Sequence, residues 1–78
     1  MHLKMQEMIS MKNIRLKVNG MHCQSCEVFI RETLQDIEGI FTASADLKKK
    51  KVSVLFNDDK ISTEQIRKTI EDMGYNTE

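Results

Sequence analysis

Ile14-Arg15-Leu16-Lys17-Val18-Asn19-Gly20-Met21-His22-Cys23-Gln24-Ser25-Cys26 is the stretch whose reading decides the fold. Its first half alternates apolar Ile14, Leu16 and Val18 with Arg15 and Lys17, the pattern of a short strand buried on one face. Downstream, Phe29, Ile30, Leu34 and Ile37 recur at helical spacing. The segment is therefore strand, loop, helix, with both cysteines of the chain in the loop and first helical turn. Unpaired backbone N–H groups and the helix dipole favour negative charge there, which lowers thiol pKa values. Two such thiolates make a soft-metal ligand pair or a redox couple.

Working outward, strand one is expected from Asn13 to Val18, and Asn19-Gly20 turns the chain out of the sheet. Met21 is expected to plug the core beneath the loop. The first helix runs from about Ser25 to Ile37, with Glu27 near its positive end, Arg31, Glu32, Gln35 and Asp36 facing water, and Gly39 as a left-handed cap. Ile40 to Leu47 reads as strand two, with Phe41, Ala43 and Ala45 on one face. Lys48, Lys49, Lys50 and Lys51 form a turn, and Val52, Val54 and Phe56 mark strand three. Asn57 to Lys60 is a polar connection. Ser62 and Gln65 form a capping box for a second helix with Ile66, Ile70 and Met73 as its stripe. Gly74 closes that helix, and Tyr75 to Glu78 begins a short or truncated fourth strand.

The order β-α-β-β-α-β predicts an α+β ferredoxin-like sandwich, a four-stranded antiparallel sheet in order 4-1-3-2 with both helices on one face. This topology brings the cysteine loop, the Lys48–Lys51 turn and Gly74-Tyr75 to one end of the sheet. Residues 12–78 are assigned to this domain and residues 1–11 to a mobile tail. Met5, Met8 and Met11 in that tail could offer thioethers to a soft metal; the simpler reading is a frayed end.

Composition narrows the function. Twelve basic and twelve acidic side chains cancel in 78 residues, so no global field draws the chain to nucleic acid or membrane. No apolar run reaches bilayer-spanning length, and residues 1–12 lack the apolar centre of a signal peptide. The cytoplasm, or a cytoplasmic domain of a membrane transporter, is the expected location, where paired cysteines serve metal or redox chemistry rather than a structural disulfide. A thioredoxin-type enzyme would want a cis-proline beside its cysteines, and the sequence has no proline. A structural zinc site wants four protein ligands. RNA binding on this fold would want exposed aromatics on the central strands. No convergent carboxylate or base marks a hydrolase, so the reading is metal trafficking without catalysis.

Gly20-Met21-His22-Cys23-Gln24-Ser25-Cys26 resembles the G-M-x-C-x-x-C signature of heavy-metal-associated domains, which occur as copper chaperones and as N-terminal modules of heavy-metal-transporting P-type ATPases. The resemblance extends over about Lys12 to Tyr75. It implies Cu(I) held by Cys23 and Cys26, with Met21 and Tyr75 close by without ligating. It also implies transfer between a metal-transporting ATPase and its soluble chaperone by ligand exchange. The residue before the first cysteine is usually Thr or Ser in copper-handling members, whereas here it is His22. Direct ligation by His22 would shift the site toward Zn(II) or Cd(II), or toward three-coordinate Cu(I). The remaining alternative is a thiol-disulfide redox protein. Lys48, Lys49, Lys50 and Lys51 are candidates for partner docking, against the reading of a solvated turn. A monomer is expected, with a metal-bridged dimer as the other arrangement.

Overall fold

In the computed structural model, residues 10–78 are described. They form β1 (Met11–Asn19), α1 (Gln24–Gln35), β2 (Ile40–Asp46), β3 (Lys51–Asn57), α2 (Thr63–Asp72) and β4 (Asn76–Thr77). The sheet order is β2-β3-β1-β4, every neighbouring pair antiparallel. This is the ferredoxin-like order 4-1-3-2 read from the other edge. Strand β1 takes in Met11, which the sequence placed in the tail, and pairs it with Asn57. Met5 and Met8 lie outside the described residues.

The alternation of β1 and β3 supplies the floor of the core. Leu16, Val18, Val52, Val54 and Phe56 all turn to the helical face and are buried. Ile30 and Leu34 from α1, and Ile66 and Ile70 from α2, complete the layer with no measurable exposure. Burial of each such side chain stabilises the fold by about 1.5–3 kcal/mol. The opposite face of the sheet carries no helix and presents Arg15, Lys17 and Lys51 to solvent.

Two aromatic assignments are corrected. Phe29 is 50% exposed and stands outside the buried stripe of α1, which is narrower than the spacing suggested. Phe41 is also 50% exposed. The register between β2 and β3 shifts between Ile40 and Thr42, and this bulge adds one residue to β2 and throws Phe41 out of the alternation. Ala43 stays buried beyond it.

The second helix is built from local signals. Ser62 accepts from the Gln65 backbone N–H at 3.2 Å while its own N–H donates to Gln65 Oε1 at 3.0 Å, the reciprocal bonds of a capping box. At the other end Gly74 N–H reaches the Glu71 carbonyl and Tyr75 N–H the Ile70 carbonyl, with Gly74 at φ +103. These are the two bonds of a Schellman motif, and they aim Tyr75 back toward β1. The first helix behaves differently. It stops at Gln35 with Asp36 as its cap, not at Ile37. Gly39, at φ +102, serves the turn into β2 instead of the helix end; a Cβ there would stand 2.9 Å from Lys60 Cβ.

Candidate metal centre

Strand β1 ends at Asn19, and Gly20 turns the chain at φ +108. A side chain at this position would be doubly penalised. The left-handed backbone disfavours it, and its Cβ would lie 3.3 Å from the Tyr75 ring at Cδ1. Met21 follows as a buried anchor, 9% exposed and part of the core cluster. His22 and Cys23 then emerge into solvent.

Cys23 occupies the N-cap of α1, with extended backbone (φ −156, ψ 175) and no side-chain cap hydrogen bond. Its carbonyl accepts from the Cys26 N–H at 3.0 Å, the bond that closes the first turn. Cys26 is therefore the third residue of the helix and half-buried against the core, whereas Cys23 is exposed. Both thiols are free, and both sit where unpaired N–H groups point outward.

The Cys26 thiol is held down to about 7 from the ordinary 9.0. Hydrogen bonding from the Tyr75 hydroxyl is the largest cause, followed by the backbone N–H groups of His22 and Cys23. The same interaction pushes the Tyr75 phenol up to about 12, with burial and the negative charges of Cys26 and Cys23 adding to it. Tyr75 thus stays protonated as a donor while Cys26 is substantially thiolate near neutrality. The phenol comes to this position through the Schellman close of α2 and the pairing of β4 with β1 at Val18 and Asn19.

Among the described residues, no group of three or more His, Cys, Asp or Glu side chains converges in a way that could hold an ion. His22 does not join Cys23 and Cys26 in such a cluster. The arrangement offers two sulfurs and open solvent, a donor set suited to a soft ion of low coordination number.

The lysine turn lies at this same end. Lys48, Lys49 and Lys50 are exposed in the turn and Lys51 opens β3. The Lys50 carbonyl accepts from Val18 N–H at 2.8 Å, one residue before the end of β1. Sequence reasoning missed one connecting residue. Glu27, in the first turn of α1, accepts the Leu47 backbone N–H and fastens the cysteine-bearing helix to the start of the lysine turn. Its position beside the helix N-terminus was legible; the partner 20 residues away was not.

Comparison with known proteins agrees with this geometry. The sequence profile of the heavy-metal-associated domain matches residues 15–76. The copper chaperone CopZ of Staphylococcus aureus (strain JH9) is 37% identical over 60 residues, spanning 77% of this chain and 88% of that protein. The structure described as CopZ metallochaperone superposes with a TM-score of 0.82 at 33% identity, covering 86% of this chain and 100% of the other. A copper binding domain from HMA7, a P-type ATPase, gives a TM-score of 0.81 at 32% identity, covering 85% of this chain and 89% of that domain. Profile, sequence relatives and solved structures coincide on the segment that carries the two cysteines: the chain belongs to the heavy-metal-associated domain family.

Proposed function

We propose that the protein binds Cu(I) through Cys23 and Cys26 and passes it to a partner by thiolate exchange, without catalysing a covalent reaction. The observation that carries this reading is the placement of two free thiols at the N-cap and third residue of one helix, beside a phenol that lowers the Cys26 pKa. Copper is preferred because thiolate pairs suit Cu(I) and because similar proteins are described as copper chaperones and as a copper binding domain of a P-type ATPase. In the exchange, a partner thiolate adds to the ion as a third ligand and one of the original sulfurs departs. The copper stays Cu(I) throughout, and no free ion is released. The open side of the site, where no third His, Cys, Asp or Glu converges among the described residues, is where the incoming sulfur enters.

The test is direct. Cys26→Ser should lose Cu(I) to a competing chelator that the parent resists, while its far-UV spectrum stays unchanged. Parent-like retention of Cu(I) by Cys26→Ser would overturn the two-sulfur site.

The partner in this reading is a metal-transporting ATPase or its soluble chaperone. Lys48–Lys51 provide the cationic edge that meets it. Charges at the rim of an interface act on association rates more than on complex lifetimes. Replacing Lys49 and Lys50 by Glu should therefore slow transfer to a copper ATPase metal-binding domain, most at low salt, with Cu(I) affinity unchanged. Equal transfer rates for variant and parent at low ionic strength would return the turn to a solvated surface.

A further inference from the structure

The helix-free face of the sheet holds a groove of about 440 Å³, lined by Arg15, Ser44, Asp46, Lys49, Lys51 and Ser53 together with Ala45. Strand register explains its composition. Ser44, Ser53 and Arg15 stand side by side across β2, β3 and β1, and Asp46, Lys51 and Lys17 form the next outward-facing row. A row of two hydroxyls and a guanidinium thus borders a row of one carboxylate and two ammonium groups.

The charges in this groove are not internally balanced. Among the described residues, the ion pairs are Lys17 with Glu78, Lys60 with Glu38, and Arg67 with Glu64. Arg15, Lys49 and Lys51 take part in none of these described pairs. Asp46 is the one carboxylate in the lining, and its Oδ1 is committed to the Lys49 backbone N–H at 3.0 Å. Three cations therefore face one carboxylate in a chain whose total charge is zero. The side chains of Arg15, Ser44, Ser53 and Lys51 form no hydrogen bond among the described residues.

We propose that this groove binds a small phosphate-bearing anion. A guanidinium fork matches two phosphate oxygens at once, lysines add point charges, and serine hydroxyls donate to the remaining oxygens. The volume falls in the range of small-molecule clefts. The inference does not rest on the Cys23–Cys26 assignment, since none of the lining residues belongs to the cysteine loop, but it shares Lys49 and Lys51 with the proposed docking edge.

The test is a titration of the full chain with inorganic pyrophosphate, followed by backbone amide shifts, with chloride holding ionic strength constant. Saturable shifts confined to Arg15, Ser44, Lys49, Lys51 and Ser53 are expected. Arg15→Gln should weaken binding about tenfold or more, the scale of one charge-assisted contact, and Arg15→Lys should retain part of it. Core amide positions that match the parent establish that both variants are folded. Shifts that fail to saturate, that are equally large around Lys60 and Lys68, or that are unaltered in Arg15→Gln would each overturn the site and leave a solvated basic face.

Discussion

The two helices of this small protein start in opposite ways. At α2 the N-cap is Ser62, and its hydroxyl and the Gln65 side chain satisfy each other's backbone donors. At α1 the N-cap is Cys23, also extended in its backbone but with no side-chain cap bond. A thiol is a weak acceptor where serine would be a good one. The helix that carries the chemistry thus forgoes a stabilising cap, and its outward N–H groups are left to favour thiolate charge. The side-chain cap belongs to α2 and the cysteine pair to α1.

The strongest challenge to this contrast is Cys23→Ser, which places the better cap on the reactive helix. It should abolish competitive Cu(I) binding and at the same time raise unfolding stability by about 0.5–1 kcal/mol, measured as a higher urea midpoint. Loss of copper with no gain in the midpoint would show that the N-cap position of α1 is not where the stability difference lies.

Tyr75→Phe sharpens the contrast from the electrostatic side. Without the phenol donor, the Cys26 pKa should climb from about 7 toward the ordinary 9.0, read as the midpoint of alkylation rate against pH in the metal-free protein. The sign for stability follows. An acid whose folded pKa is depressed contributes fully above 9.0 and loses its contribution as pH falls through about 7. The parent should therefore lose stability on acidification through neutrality, and the variant should show less of that loss. A midpoint unmoved by Tyr75→Phe would assign the depression to backbone donors alone.

Ser62→Ala has the smallest effect of the three on the cysteine site. Removing the reciprocal cap of α2 should cost about 1 kcal/mol, seen in thermal or urea unfolding, and should leave Cu(I) affinity untouched. A change in metal affinity would couple the two helix starts, contrary to the division drawn between them.

Much of this arrangement was legible in the sequence because its signals are local or strictly periodic. The alternation of Val52, Val54 and Phe56 fixed the buried face of β3, and Ser62 with Gln65 announced α2. Cys23 and Cys26 stood out by their spacing together with the preceding Gly20-Met21 between strand and helix. The two phenylalanines were misplaced for different reasons. Phe41 lies at a bulge, and alternation cannot reveal where a strand gains a residue. Phe29 neighbours Ile30 on α1, and only packing decides how wide a buried stripe becomes. The end of α1 at Gln35 was hidden because Gly39 offered a plausible cap that the β2 turn had already claimed. The Glu27 bond to Leu47 joins groups whose proximity exists only after folding.

That last bond has a mechanical consequence. Glu27 fastens the cysteine helix to the hairpin at Leu47, and Val18 N–H fastens the hairpin at Lys50 to β1. Glu78 N–H, bonded to the Lys17 carbonyl, braces β1 from its other edge. The residues from Gly20 to Cys23 are thus a short link between braced supports, itself pinned at its middle by buried Met21. A body that seats against the hairpin inherits a bearing on the sulfurs without touching them. The frame thus sets the distance and heading of the two sulfurs relative to the hairpin.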